Sequence, residues 1–156
     1  MGKISIINPR RIMLAGLLFT CTGMPTAPLL IVCHGFTGSK EGRGKALEMA
    51  EWLQGKGIAC LLFDFAGCGE SEGEFQDITL SHHVEDIGSV VSFCRSNMWA
   101  NLALLGRSFG GAAALAYASA SHEIRGVCTW SAPAHLDRLF GSGRTASPAR
   151  KVRQYA

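Results

Sequence analysis

No two of the six cysteines stand in a C-x-x-C pair, which removes the commonest zinc spacing. No acid occurs in residues 1–40, which carry Lys3, Arg10, Arg11 and Lys40. None occurs in residues 138–156 either, which carry Arg138, Arg144, Arg150, Lys151 and Arg153. All 12 acids therefore lie between these basic ends, so the net charge of +3 hides an acidic middle. That middle is a poor surface for nucleic acid, and the basic ends read as solvated termini. Charged residues make up only 17 % of the chain against 47 % hydrophobic, which excludes a disordered chain. No apolar run is long enough to span a bilayer, so no stable membrane insertion is expected. Ile12–Phe19, behind Arg10-Arg11 and ahead of Cys21 and Ala27, resembles a weak signal peptide. The preferred reading is an edge hairpin, Ile4–Ile7 then Ile12–Phe19, packed on a sheet. Cys33, Cys60, Cys94 and Cys128 lie inside apolar runs and are expected to be buried thiols, as in a reducing cytoplasm.

What is present is a rhythm of apolar runs and amphipathic stretches. Leu29–Cys33 and Ile58–Phe63 are continuous apolar runs that suit strands buried on both faces. A helix is expected from Lys40 to Gln54, with Ala46, Met49, Ala50 and Leu53 inward and Gly55 as its stop. A second is expected from Ser81 to Ser96, with Val84, Ile87, Val91 and Cys94 on one face and His82 and His83 toward solvent. Leu102–Leu105 and Arg125–Trp130 are further strands. Strands alternating with helices mean βαβ units. The fold class is therefore α/β, a mostly parallel sheet with helices on both faces. Residues 1–140 form its core, and 141–156 are a Gly/Ser/Ala/Arg-rich loop or tail without periodicity.

The chemistry centres on Gly106-Arg107-Ser108-Phe109-Gly110, between an apolar strand and an alanine-rich run. Strand, sharp turn and helix in that order put the Ser108 hydroxyl above the end of the sheet. It then stands beside a helix N-terminus whose N–H groups can hold an oxyanion. Serine is a poor nucleophile unaided, so a base, an orienting acid and oxyanion donors are required. The donors assign to the backbone N–H groups of Phe109 and Phe36, with His34 and Gly35 lining the site. In parallel sheets ligands bind at the carboxyl ends of the strands, where all these residues fall.

Three segments together resemble the α/β-hydrolase superfamily: Leu29–Phe36, Phe63-Asp64-x-x-Gly67-x-Gly69-x-Ser71 and Gly106–Gly111. They are most similar to its serine aminopeptidase, cinnamoyl esterase and monoacylglycerol lipase-like branch. The resemblance spans about residues 4–140. It implies a cofactor-free serine hydrolase with a small-molecule acyl substrate. Ser108 would be its nucleophile, Phe36 and Phe109 its oxyanion hole, and Asp64 and Ser71 parts of a structural loop.

In that superfamily the acid and histidine follow the nucleophile, and here only His122 and His135 do. His122 is expected at the far end of the post-elbow helix. His135 and Asp137, after the neighbouring strand, are the weak candidates for base and acid. The expectation is therefore a C-terminally truncated member whose Arg125–Trp130 strand forms an open edge prone to self-association. Two other classes stay open. One is an inert hydrolase-like protein acting only by partner binding. The other is a P-loop nucleotide hydrolase using Lys45, although Ser39 replaces the first glycine and Ala46 the magnesium-binding Ser/Thr.

Overall fold

The computed structural model describes residues 1–136 except Pro25. Asp137 and the 141–156 segment lie outside the described residues. The chain opens as a hairpin, β1 (Gly2–Ile7) and β2 (Met13–Phe19), paired antiparallel with Gly2 opposite Leu18. Then come β3 (Leu29–Cys33), α1 (Lys45–Gln54), β4 (Ala59–Phe63), α2 (Leu80–Ser96), β5 (Leu102–Arg107), α3 (Phe109–Ser119) and β6 (Ile124–Trp130). They build one six-stranded sheet in the order β1-β2-β4-β3-β5-β6. β4, β3, β5 and β6 run parallel, and β2 joins them antiparallel through β4. No described helix is long and apolar enough to cross a membrane.

Burial follows from this order. β4 has strands on both sides and a helical layer on each face, and all five of its residues are buried. One face carries Leu29, Ile31, Cys33, Leu61, Phe63, Leu102 and Leu104, packed with Ile87, Val91, Cys94, Ala113 and Ala114 of α2 and α3. The other carries Leu17, Phe19, Cys60 and Leu62 against Ala50 of α1. Among the described residues β6 is the last strand of the sheet, and most of its residues are exposed.

Three expectations need correction. The first helix begins at Lys45, not Lys40, because Gly42 (φ 56°), Arg43 (φ 56°) and Gly44 (φ 87°) take left-handed conformations that break helical geometry. His83 is buried rather than solvent-facing, at 1 % exposure. Cys128 is exposed while Cys33, Cys60, Cys68 and Cys94 are buried. The apolar look of Arg125–Trp130 comes from a strand with a neighbour on one side only among the described residues.

Buried polar groups fasten the hairpin to the rest of the fold. Asn8 donates from Nδ2 to Asp86 Oδ1 at 2.8 Å and accepts at Oδ1 from the Ile12 N–H at 3.0 Å. Arg10 pairs with the same Asp86 carboxylate at 2.5 Å and with Glu85 at 2.8 Å. The second Asp86 oxygen accepts from the Ala66 N–H at 3.0 Å. One fully buried carboxylate thus joins the β1–β2 turn, α2 and the loop after β4. Such groups are tolerated inside a fold only when satisfied in this way.

Candidate active site

β5 places Ser108. The strand lies between β3 and β6, so its end is fixed from both sides. The Ser108 N–H donates to the Trp130 carbonyl at 2.9 Å. Its own carbonyl accepts from Gly111 and Ala112 and starts α3. The chain reverses within one residue, and Ser108 takes φ 51°, ψ −123°. Such backbone costs about 1–3 kcal/mol and persists only where the surroundings enforce it. They do so by close approach. A Cβ on Gly106 would stand 2.5 Å from the Gly111 Cα, and one on Gly110 would strike the His34 carbonyl oxygen. Glycine at both positions lets α3 lie against the ends of β3 and β5. Phe109 then opens α3.

The loop after β3 meets this turn directly. A Cβ on Gly35 would lie 3.3 Å from the Ser108 Cβ and 4.0 Å from its Oγ. His34 is 7 % exposed and both its ring nitrogens are engaged. Nε2 receives the Phe65 N–H at 3.2 Å, and Nδ1 lies 2.8 Å from the Gly35 carbonyl. An amide N–H only donates, so Nε2 is the acceptor and the ring proton sits on Nδ1. Burial lowers its pKa from the ordinary 6.5, against smaller upward pulls from the Gly35 carbonyl and Asp64. His34 is a neutral strut beside Ser108, with no lone pair left to take a proton.

Rings stack behind these two loops. The Phe36 ring meets Phe109 edge-on at 5.6 Å and tilts against Phe75 at 5.1 Å. Phe109 in turn meets His83 edge-on at 5.1 Å, and His83 stacks on Phe65 at 3.7 Å with an interplanar angle of 11°. Phe65 closes the series edge-on to His34 at 5.1 Å. The loops after β3, β4 and β5 therefore share one aromatic cluster. Burial pushes the pKa of the stacked His83 ring down to about 3, helped by His34, Arg10 and His82, so the ring is neutral. His83 Nε2 has no hydrogen-bond partner among the described residues.

A pH dependence follows. The unfolded imidazole has a pKa near 6.5, and the folded one lies at about 3. The unfolded chain thus binds a proton that the folded chain refuses, and stability falls as pH drops from 6.5 toward 3. His83→Phe keeps a flat ring and removes the titration. Urea unfolding of the two proteins at pH 7 and pH 4 should show wild type losing about 3 kcal/mol more than the variant. Equal losses would place the protonating group elsewhere.

Asp64 organises the remaining loop. Its carboxylate is fully buried. It accepts from the Lys40 N–H at 2.6 Å, the Lys40 ammonium at 2.7 Å and the Glu70 N–H at 2.9 Å. Ser71 Oγ donates to the Asp64 carbonyl at 2.7 Å and accepts from the Ala15 N–H at 2.9 Å. Lys40 is 2 % exposed, and its ammonium also reaches Glu70 at 2.8 Å and Glu41 at 2.9 Å. Burial alone would lower the Lys40 pKa, but the hydrogen bonds to Asp64, Glu70 and Glu41 outweigh it and raise it above its usual value. This ion cluster ties the His34–Lys40 loop to the Asp64–Ser71 loop.

The structure thus brings Ser108, Phe109, His34, Gly35 and Phe36 together. His135 is exposed beyond β6, and Asp137 lies outside the described residues. His122 is exposed after α3, and His82 bonds through Nδ1 to the Asp77 carbonyl at 2.7 Å. No described histidine is hydrogen-bonded to the Ser108 hydroxyl. Lys45, the cation of the phosphate-loop reading, pairs with Glu48 on the exposed side of α1 at 2.9 Å. Lys40 and His83 escaped the sequence reading. His83 was legible: with Ile87, Val90 and Cys94 it falls at i, i+4, i+7 and i+11, the buried stripe of α2.

Comparison with known proteins agrees with this geometry. Residues 25–152 match the family model described as serine aminopeptidase, S33. The α/β hydrolase GrgF from Penicillium sp. sh18 superposes with a TM-score of 0.75 at 29 % identity, over 82 % of this chain and 44 % of that one. Est1E from Butyrivibrio proteoclasticus, solved with ferulic acid bound, gives 0.72 at 30 % identity, over 78 % and 50 %. Among curated relatives, the quorum-quenching protein AidA of Acinetobacter baumannii (strain MDR-ZJ06) is 30 % identical over 114 residues, 70 % of this chain and 37 % of AidA. The chain spans about half the length of these solved structures and little more than a third of AidA. A six-stranded, mostly parallel sheet, a strained serine at the end of its β5 and the family match together place this chain in the serine aminopeptidase S33 family of α/β hydrolases.

Proposed function

We propose that the chain carries the nucleophile and oxyanion half of a serine hydrolase acting on carboxylic esters, thioesters or amides. The observation that carries this reading is the φ 51° backbone of Ser108, held against Gly35 at the carboxyl ends of β3 and β5. Strain of this kind is kept where it aims a reacting group. Ser108 Oγ attacks the acyl carbonyl as its proton passes to a base. The carbonyl oxygen takes the negative charge beside the Phe36 and Phe109 N–H groups. The leaving group departs with a proton and an acyl-serine remains. Water then adds to that ester and releases the acid, restoring the hydroxyl. The rings of His34 and His83 are committed to packing and do not serve as that base. The partly buried Phe36 ring and the exposed Phe75 ring beside it offer an apolar wall that suits an aromatic or long acyl group. Est1E, which holds ferulic acid, supports that substrate class by analogy.

An alkyl fluorophosphonate tests the reading on the intact chain. Labelling that maps to Ser108 by mass spectrometry and disappears in Ser108→Ala is the expected result. A folded chain that stays unlabelled at millimolar probe overturns it and favours the inert, partner-binding class.

A further inference from the structure

We infer that His34 is a positioning residue whose ring, bonded at both nitrogens, turns the Gly35–Phe36 peptide so that the Phe36 N–H is aimed at the developing oxyanion. It rests on the acyl-transfer reading of Ser108, and supplies the group that sets one of the two donors.

A trans peptide is planar, and its C=O and N–H point in opposite directions. The Gly35 carbonyl and the Phe36 N–H share one such plane. Whatever holds the carbonyl therefore sets the N–H. Two donors hold it, His34 Nδ1 at 2.8 Å and the Gly38 N–H at 2.9 Å. The proton on Nδ1 is itself fixed, because Nε2 accepts from the Phe65 N–H at 3.2 Å. A chain of bonds thus runs from the loop after β4, through the imidazole, to the back of the oxyanion peptide. His34 and Phe65 are buried, and their rings meet edge-on at 5.1 Å, which holds the imidazole in this orientation.

The surroundings are shaped for this ring. A Cβ on Gly38 would lie 3.2 Å from His34 Nδ1 and 3.1 Å from the Gly35 oxygen, so a side chain there would press on the bond that fixes the carbonyl. Gly38 has no left-handed φ, and space alone accounts for its glycine. A Cβ on Gly35 would lie 3.3 Å from the Ser108 Cβ, so the held peptide is the one that borders the nucleophile. The effect grows as the reaction proceeds. When the Phe36 N–H donates to a full negative charge its peptide polarises, and the Gly35 oxygen becomes a better acceptor for the imidazole N–H. His34 therefore favours the tetrahedral state over the bound ester, which is the condition for raising a rate.

Two replacements separate aiming from packing. Asn places an amide N–H where Nδ1 stands, keeping the bond to Gly35 and giving up the Phe65 N–H. Gln reaches as far as Nε2, keeping the Phe65 bond and giving up Gly35. Each loses one of two bonds, so their urea midpoints should fall alike. Fluorophosphonate labelling of Ser108 should be at least about tenfold slower in His34→Gln than in His34→Asn, short of the roughly 10²–10³ that losing an oxyanion donor outright costs. Equal labelling in the two variants, or labelling that only follows the midpoints, overturns the inference. Nitrogen NMR of the full chain reads the geometry without turnover. Expected is an imidazole protonated at Nδ1, with a Phe36 amide shift that moves in His34→Gln and stays in His34→Asn. Should wild type never label, the serine-hydrolase reading fails, and these spectra decide whether His34 sets the peptide. A ring protonated at Nε2, or a Phe36 amide that moves equally in both variants, overturns it.

Discussion

Asp64→Ala is expected to destabilise the fold by about 3–5 kcal/mol, the usual consequence of removing one partner from a buried ion pair. The loss has a definite origin. Lys40 is 2 % exposed and would keep its ammonium inside, with only the half-exposed Glu41 and the exposed Glu70 as partners. The Lys40 and Glu70 amides would also lose their acceptor. A typical domain is stable by only about 5–15 kcal/mol, so the single change takes a large share. Removing both charges separates the two contributions. Asp64→Leu with Lys40→Met should recover most of the loss, since a buried pair replaced by apolar groups of similar size is often neutral. Urea titrations followed by circular dichroism read both values. A single variant within about 1 kcal/mol of wild type would mean that water already reaches this cluster.

Gly35→Val is expected to slow fluorophosphonate labelling of Ser108 at least a hundredfold with little change in stability. Gly35 has no left-handed φ, so a side chain meets no backbone objection there. The obstacle is space. A Cβ at this position already lies 3.3 Å from the Ser108 Cβ, and the valine methyl groups extend further toward Oγ, 4.0 Å from that Cβ. Either the hydroxyl turns away or the Phe36 loop shifts outward. A displacement of about 1 Å in reacting geometry costs on the order of a hundredfold in rate. The measurement is the second-order labelling rate beside the urea midpoint. Unchanged labelling would show that the acyl group approaches from another side. Equal loss of stability and labelling would show that Gly35 serves packing alone.

The sheet itself was legible where burial is symmetrical. Leu29–Cys33 and Ala59–Phe63 read as continuous apolar runs because both faces of each strand are covered. The Ser108 turn was legible because its glycines are demanded by contact with His34 and Gly111, which composition reflects directly. Lys40 was not, and His83 was so only in its helical spacing, which its polarity outweighs. Lys40 looks like the start of a helix and His83 like a solvent-facing residue, because polarity normally marks the surface. Each is inside because a tertiary partner stabilises it: Asp64 lies 24 residues from Lys40, and the Phe65 and Phe109 rings flank His83. Cys128 fails in the opposite sense. Its apolar surroundings belong to a strand covered from one side among the described residues, so sequence polarity and actual exposure part company. Strand order was also invisible, since nothing local says that β4 rather than β3 adjoins β2.

The position of β2 has a consequence for the order in which the chain is made. β2 is synthesised before the strands that cover it, carrying Leu14, Leu17 and Phe19, all of which are buried in the finished fold. Its only early neighbour is β1, and an isolated two-stranded hairpin is marginal in water. The surface that covers β2 arrives with β4, after β3 and α1 have been synthesised. Asp86, which locks the Asn8–Arg10 turn, arrives later still, in α2. Throughout that interval the nascent N-terminus offers an uncovered apolar strand, the kind of segment that holding chaperones bind. β4 therefore ends most of the exposure, and the β1–β2 hairpin is locked in place only once Asp86 has followed it.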